Sequence, residues 1–188
     1  FIGAFVSAIA PILWSVNNKN KNKSSELFKS IISISSLLGC LGVCISVIVG
    51  PILLPPKYQS ALSIIPYLSI GFIFSSYASL YGLLLEKKYK LNIRLVSMIF
   101  GAVINFLLIY ITIDELGILG LAVSTMVGYF AVFLINYAYA EKEYKYFLIN
   151  KELIFSVSII SVFITLYKDV WFLNLFFLVL SVLVLSLM

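Results

Sequence analysis

The sequence predicts an all-α, polytopic transmembrane helical bundle with about seven spans. Hydrophobic residues make up 62% of the chain and charged residues only 11%, and the mean hydropathy of +1.11 lies far outside the range of soluble domains. The apolar residues form continuous runs that can cross a hydrocarbon core as helices, whereas the strands of a transmembrane barrel would alternate. Short polar loops separate the runs, and every second loop is strongly basic.

Three apolar runs precede the middle of the chain. The first, Phe1–Val16, has no positive leading region and no cleavage site, so we expect a membrane helix there and not a signal peptide. A polar loop at 17–30 follows, and then the charge-free run Ser30–Pro56, which closes in prolines because proline stops a helix. The third run is Tyr58–Leu85, and a second basic loop at 86–94 ends it.

The stretch Leu91–Ala140 is predicted to form a membrane hairpin around which the other spans are organised. Its arms carry no charge over 95–113 and 116–140, and an acidic corner at 114–120 joins them. Small or polar residues recur at a spacing of four, which keeps them on one helix face and lets backbones approach closely. These seams are Ser97, Gly101 and Asn105 on the first arm and Gly120, Ser124 and Gly128 on the second. We expect Gly117 and Gly120 to serve the tight turn and close packing.

A third polar loop, 141–152, separates the hairpin from a terminal helix pair at 153–188. The run Leu153–Tyr167 has only 15 residues, about 22 Å as a helix, so it spans only if the bilayer thins or flanking lysines snorkel. Both chain ends lie inside apolar runs, which suggests a piece of a longer protein.

The distribution of basic residues predicts the orientation. All of the 13 basic residues except Lys57 and Lys168 lie in the loops 17–30, 86–94 and 141–152. Loops rich in lysine and arginine stay on the cytoplasmic side, so we expect these three loops to be cytoplasmic in a multi-pass protein of a bacterial plasma (inner) membrane.

The residues that carry common enzyme chemistry are missing from the sequence. There is no histidine, no pair of carboxylates and no glycine loop that could cradle a phosphate, and no ionisable group falls at membrane depth. Cys40 and Cys44 are expected to be packing residues inside an apolar run. The net charge of +5 is spread over separate loops and does not form a nucleic-acid patch. We therefore expect no enzyme, no cofactor, no metal site and no nucleic-acid partner.

Uncharged polar residues are the remaining candidates for a substrate cavity: Asn105, Ser75, Tyr77 and Tyr81. Asn105 lies near the middle of its span, where it either lines a cavity or bonds a neighbouring helix. Tyr77 and Tyr81 lie four residues apart, so both could stack on a sugar or pack in the core. The basic residues Lys87, Lys88, Lys90 and Arg94 are candidates for a cytoplasmic mouth that attracts a lipid diphosphate, or act as topology signals beside anionic lipid.

Over residues 1–140 the chain resembles the C-terminal part of the Wzx-type polysaccharide flippases, which share a superfamily with lipid II flippases and multidrug and toxin extrusion transporters. The residues that carry the resemblance are Phe5, Ala8, Pro11, Leu27-Phe28, Lys57-Tyr58, Ala61, Pro66, Tyr81-Gly82-Leu83, Asn105 and the run Gly117-Ile118-Leu119-Gly120-Leu121-Ala122-Val123-Ser124-Thr125. Leu121 departs from the family, which often has alanine there.

The resemblance implies the second bundle of a two-bundle transporter that moves undecaprenyl-diphosphate-linked oligosaccharide units outward by alternating access. Its implied partners are the lipid-linked oligosaccharide, membrane lipids, a missing N-terminal bundle of the same protein and other glycan-assembly proteins. Two alternatives stay open. An O-antigen polymerase-type membrane glycosyltransferase would need a large outer loop, and a multidrug exporter of the same superfamily would be expected to carry acids within its spans.

Overall fold

The computed structural model describes residues 26–35 and 54–143, together with the single positions Ala8, Pro11, Leu38, Val49 and Ile52. All regular structure in this part of the chain is helical. It comprises α1, described over 26–35, a 3₁₀ helix at Pro56–Ser63, and the helices α2 (Ile65–Lys87), α3 (Leu91–Leu116) and α4 (Ile118–Glu143).

Several predicted elements lie outside the described residues. These are the span 1–16, most of the loop 17–30 and of the span 30–56, the loop beyond residue 143, and the terminal pair 153–188. The number of seven spans and the division into bundles therefore stay predictions.

Three of the described helices are long and apolar enough to cross a membrane. They are Ala61–Lys87, Leu91–Leu116 and Ile118–Ala140, with mean hydropathies of 1.6, 2.3 and 2.2. A helix of 26 residues is about 39 Å long, so each arm of the hairpin exceeds a hydrocarbon core of about 30 Å.

The turns between these helices are shorter than the sequence predicted. Lys87 belongs to the last turn of α2 and Arg94 to the first turn of α3, so the predicted loop 86–94 contracts to three residues. The two helices extend into the predicted loop because charged side chains at a helix end reach water while the backbone stays helical. A basic residue in the last turn also interacts favourably with the helix dipole. Asp114 and Glu115 of the acidic corner likewise belong to the last turn of α3, and Gly117 alone separates α3 from α4. Its backbone, at φ +55° and ψ −130°, is one that glycine adopts without strain.

Contacts between the helices define their directions. A Cβ placed on Gly71 of α2 would lie 3.2 Å from the Met126 Cα of α4, and the rings of Tyr81 and Tyr137 lie 5.3 Å apart further along, so α2 and α4 run parallel. Helices α3 and α4 are antiparallel, because Ser97 contacts Asn136 near the end of α4 whereas Thr112 contacts Gly120 near its start. The end of α2, the start of α3 and the end of α4 therefore lie at one end of the bundle.

An aromatic core joins α1, α2 and α4. The ring of Phe133 lies 5.8–6.2 Å from five neighbouring rings, within the range of favourable aromatic pairs. Those neighbours are Phe74, Tyr77, Tyr81, Phe130 and Tyr137. Phe28 of α1 joins them through an edge-to-face contact with Tyr81 at 5.3 Å. Within Ala61–Lys87, 67% of the most apolar stretch is buried, against 11% for α3 and 33% for α4, so α2 is the central helix.

Helix α3 lies at the edge of the described structure. Only Ser97 and Gly101 of α3 are buried by the described part of the chain, and large apolar side chains such as Phe106 and Tyr110 are more than 70% exposed. Lipid tails are as apolar as these side chains, so contact with lipid carries no penalty.

Candidate functional site

A groove lies between α2, α3 and α4; its lining is mostly apolar and contains several polar side chains. Its volume is about 270 Å³, and it runs from Arg94 near the start of α3 to Asn105 in the middle of that helix. Thirteen residues line it: Ser75, Ala78, Ser79, Arg94, Met98, Gly101, Ala102, Asn105, Thr125, Gly128, Tyr129, Val132 and Asn136. Asn105 is eleven positions after Arg94, which corresponds to about 16 Å along the helix.

Close backbone packing forms the floor of the groove. A Cβ on Gly101 would lie 2.9 Å from the Gly128 carbonyl oxygen and would clash with Val132, and a Cβ on Gly128 would lie 3.0 Å from the Gly101 carbonyl oxygen. The backbones of α3 and α4 therefore approach closely at these two glycines. At the far end of the hairpin Gly120 packs equally close to the Thr112 backbone. Gly101, Gly120 and Gly128 of the predicted seams thus lie at the contact between α3 and α4, whereas Ser124 is buried and bonded within its own helix.

Asn136 links all three helices at one end of the groove. Its Oδ1 atom accepts a hydrogen bond of 2.7 Å from the Ser97 hydroxyl on α3, and its Nδ2 atom donates one of 2.9 Å to the Ala78 carbonyl oxygen on α2. The Ser97 hydroxyl also lies 2.7 Å from the Arg94 carbonyl oxygen, so its one proton is shared between two acceptors. Asn136 is 1% exposed and Ser97 is fully buried, so these hydrogen bonds are shielded from water. We call the hydrogen-bonded set of Ser97, Asn136 and the Ala78 carbonyl the node.

Three polar side chains of the lining offer hydrogen-bond acceptors. The hydroxyls of Ser79 and Thr125 donate to carbonyl oxygens four residues back in their own helices, at 2.9 and 2.8 Å. Each hydroxyl has one proton, so once it is donated only lone pairs remain for a ligand. The Oδ1 atom of Asn105 is buried and has no hydrogen-bond partner within the described part of the chain. The lining is therefore suited to a ligand that supplies hydroxyl or amide protons.

Arg94 is the one charged residue in the lining. Its guanidinium forms an ion pair with the Glu86 carboxylate in the last turn of α2, and the two side chains are 30% and 20% exposed. The side chain lies across Gly82, where an added Cβ would come within 3.1 Å of the Arg94 Nε atom. Gly82 thus leaves the space that lets Arg94 cross α2 and reach the groove.

The groove contains some of the sequence candidates and not others. Asn105 and Ser75 line it, as does Arg94. Tyr77 and Tyr81 do not, because they are 0% and 2% exposed in the aromatic core, which is the packing role that the sequence left open. The basic residues Lys87, Lys88 and Lys90 lie at the helix ends beside the groove and not in its lining.

Sequence reasoning missed Asn136 and the hydroxyls of Ser79 and Thr125. A signal for Asn136 was present, since it is a polar amide inside a charge-free apolar run, the same property that singled out Asn105. The hydroxyl residues carry no comparable signal because serine and threonine are common packing residues in membrane helices.

The comparisons with known proteins agree with a membrane protein. The chain is similar to an uncharacterized membrane protein of Methanocaldococcus jannaschii, with 26% identity over 161 residues that cover 84% of the chain and 32% of the relative. The chain therefore spans about a third of the length of this curated relative. No family model matches the chain. No solved structure matches it either. The relative and the three apolar helices together show a membrane protein whose described part is helical.

Proposed function

We propose that this protein moves lipid-linked oligosaccharide repeat units from the cytoplasmic to the outer face of the plasma membrane, for surface polysaccharide biosynthesis. In this proposal the described helices form one wall of a cavity that opens alternately to either side. A second bundle, contributed by another part of the same protein, forms the facing wall.

The acceptors in the groove are the observation that carries the proposal. A polar group buried among membrane helices is costly unless it has a partner, so the unpaired lone pairs in this mostly apolar groove favour a ligand that can donate protons. Sugars meet this requirement because every hydroxyl can donate. Asn105, Ser79 and Thr125 supply the matching acceptors within one groove.

The position of the groove agrees with a translocation path. It lies between three helices that can each cross a membrane, and it extends from the end that carries the basic turn toward the middle of α3. The predicted cytoplasmic end is thus the end at which a ligand enters beside Arg94.

Deletion of the gene tests this function. We expect complete single repeat units to accumulate on their lipid carrier at the cytoplasmic face and surface glycan to be lost, with both defects reversed by the wild-type gene. Single unpolymerised units at the outer face would contradict the proposal and favour a polymerase. Unchanged lipid-linked glycans with altered drug sensitivity would contradict it in favour of a drug exporter.

A further inference from the structure

We propose that Arg94 anchors the phosphate of an amphiphile at the mouth of the groove and that Glu86 holds this arginine in place while the groove is empty. The binding site stands on the geometry alone. Naming the ligand as the phosphate of a lipid-linked glycan rests on the function proposed above.

The arginine has the chemistry that a phosphate requires. Its planar guanidinium donates two parallel hydrogen bonds to phosphate oxygens, and such charge-assisted pairs are among the stronger hydrogen bonds in proteins. Arg94 reaches the groove because Gly82 leaves room for its side chain across α2. The lysines of the same turn do not line the groove.

Glu86 is placed to compete with the ligand. Its carboxylate pairs with the guanidinium, and both side chains keep part of their surface exposed, so a ligand can reach the pair. A phosphate monoester or a diphosphate carries close to two negative charges and has more acceptor oxygens than a carboxylate, so it can displace Glu86 from Arg94. The pair therefore acts as an exchangeable contact that keeps the arginine oriented toward the groove.

The remaining lining divides the groove into two parts. The charged mouth at Arg94 lies about 16 Å along α3 from the uncharged amide of Asn105. The volume of about 270 Å³ is just below the usual range of small-molecule pockets, which starts at about 300 Å³. The groove thus suits a headgroup with a phosphate at the mouth and hydroxyl donors further in, while the lipid tail stays in the bilayer.

Binding to the full chain in nanodiscs of neutral phosphatidylcholine tests the anchor. The probes are farnesyl diphosphate, dioctanoyl phosphatidic acid and inorganic phosphate, and the readout is the dissociation constant. We expect Arg94→Gln to weaken binding of the amphiphilic phosphates about tenfold and Glu86→Gln to strengthen it about threefold. Lys29→Gln is the control and should leave binding unchanged. Lys29 is exposed on α1, near the same end of the bundle, and lies outside the groove.

The opposite directions of the two variants separate anchoring from structure. Both break the same ion pair, so a structural role predicts the same loss from each, and that result would overturn the proposal. A loss on Lys29→Gln equal to that on Arg94→Gln would overturn it too, because it would indicate only general attraction to anions. Tighter binding of farnesyl diphosphate identifies an isoprenoid carrier, and tighter binding of phosphatidic acid identifies a bilayer phospholipid. Equal binding of inorganic phosphate would contradict an amphiphile site.

The outcome is independent of the transport test. Arg94-dependent binding without any effect of gene deletion on lipid-linked glycans would retain the anchor and refute the flippase. Loss of flipping on deletion, with binding unaffected by Arg94→Gln, would retain the flippase and refute the anchor.

Discussion

The Ser97 hydroxyl on α3 donates a hydrogen bond of 2.7 Å to Asn136 on α4, 39 residues further along the chain. Asn136 in turn donates to the Ala78 carbonyl oxygen on α2. One amide therefore sets the rotation of three helices relative to each other, at the place where the groove meets the basic turn. Polar contacts of this kind specify helix pairs where apolar packing discriminates little from lipid.

Substitution of the node should destabilise the bundle in a coupled way. We expect Asn136→Ala to lower the free energy of unfolding by about 1–2 kcal/mol and Ser97→Ala by about 1 kcal/mol, because interhelical hydrogen bonds in membranes average about 0.6 kcal/mol and the single variants leave partners unpaired. The double variant should lose less than the sum. Unfolding in mixed detergent micelles with increasing dodecyl sulfate measures all three. Ser76→Ala is the control, since its hydroxyl bonds only within α2. Strict additivity would contradict the node.

Closure of the hairpin should depend on Gly101. We expect Gly101→Ala to lower the free energy of unfolding by about 1–3 kcal/mol, because the new Cβ would meet the Gly128 carbonyl oxygen and Val132. Adding Val132→Ala should restore only part of the loss, since the backbone contact remains. Gly82→Ala is the matched control, because its nearest neighbour is the movable end of the Arg94 side chain. An equal loss from both glycine variants would argue against a specific α3–α4 contact.

Asn105 should separate function from stability. We expect Asn105→Leu to slow translocation of lipid-linked oligosaccharide by about two- to tenfold, the loss of one ligand hydrogen bond. The free energy of unfolding should not fall, because the variant removes a buried acceptor that has no partner in the described part of the chain. Transport in reconstituted vesicles and detergent unfolding provide the two readouts. Asn92→Leu is the control, since Asn92 is exposed on the same helix and lies outside the groove. Loss of stability with unchanged transport would indicate a structural role for Asn105.

The two ends of α3 should be labelled from opposite sides of the membrane. In a chain with Cys40→Ser and Cys44→Ser, we expect Tyr89→Cys to react with an impermeant maleimide from the cytoplasmic side and Ile118→Cys from the outer side. Both positions are exposed, at 93% and 66%. Phe106→Cys, in the middle of the apolar helix α3, should resist labelling from either side because an impermeant reagent does not reach the centre of the bilayer. Labelling of Tyr89→Cys and Ile118→Cys from one side would contradict the hairpin topology.

Part of the site was predictable because helix geometry is local. A spacing of four residues places Ser97, Gly101 and Asn105 on one face whatever the neighbours are, so the sequence indicates a packing face before any partner is known. The ends of the helices were less predictable. Charged side chains near a helix end reach water by extending, so a charge does not mark where the helix stops, and the loops at 86–94 and 114–120 came out shorter.

The roles of the aromatic and polar side chains were not predictable in the same way. Tyr77 and Tyr81 share a face of α2, and a periodic pattern cannot distinguish a cavity from a core. Asn136 and Arg94 acquire their roles from partners on other helices, 58 residues away in the case of the Asn136 contact with Ala78.

The sequence by itself determined that the chain is an all-helical membrane protein, because hydropathy, run length and loop charge are properties of the chain alone. Only the tertiary structure decided that Asn105, Asn136 and Arg94 share one groove. The physical reason is that a groove depends on the rotation and axial register of three helices. Those are set by the contact of Gly101 with Gly128 and by the hydrogen bonds of Asn136, which no single helix contains.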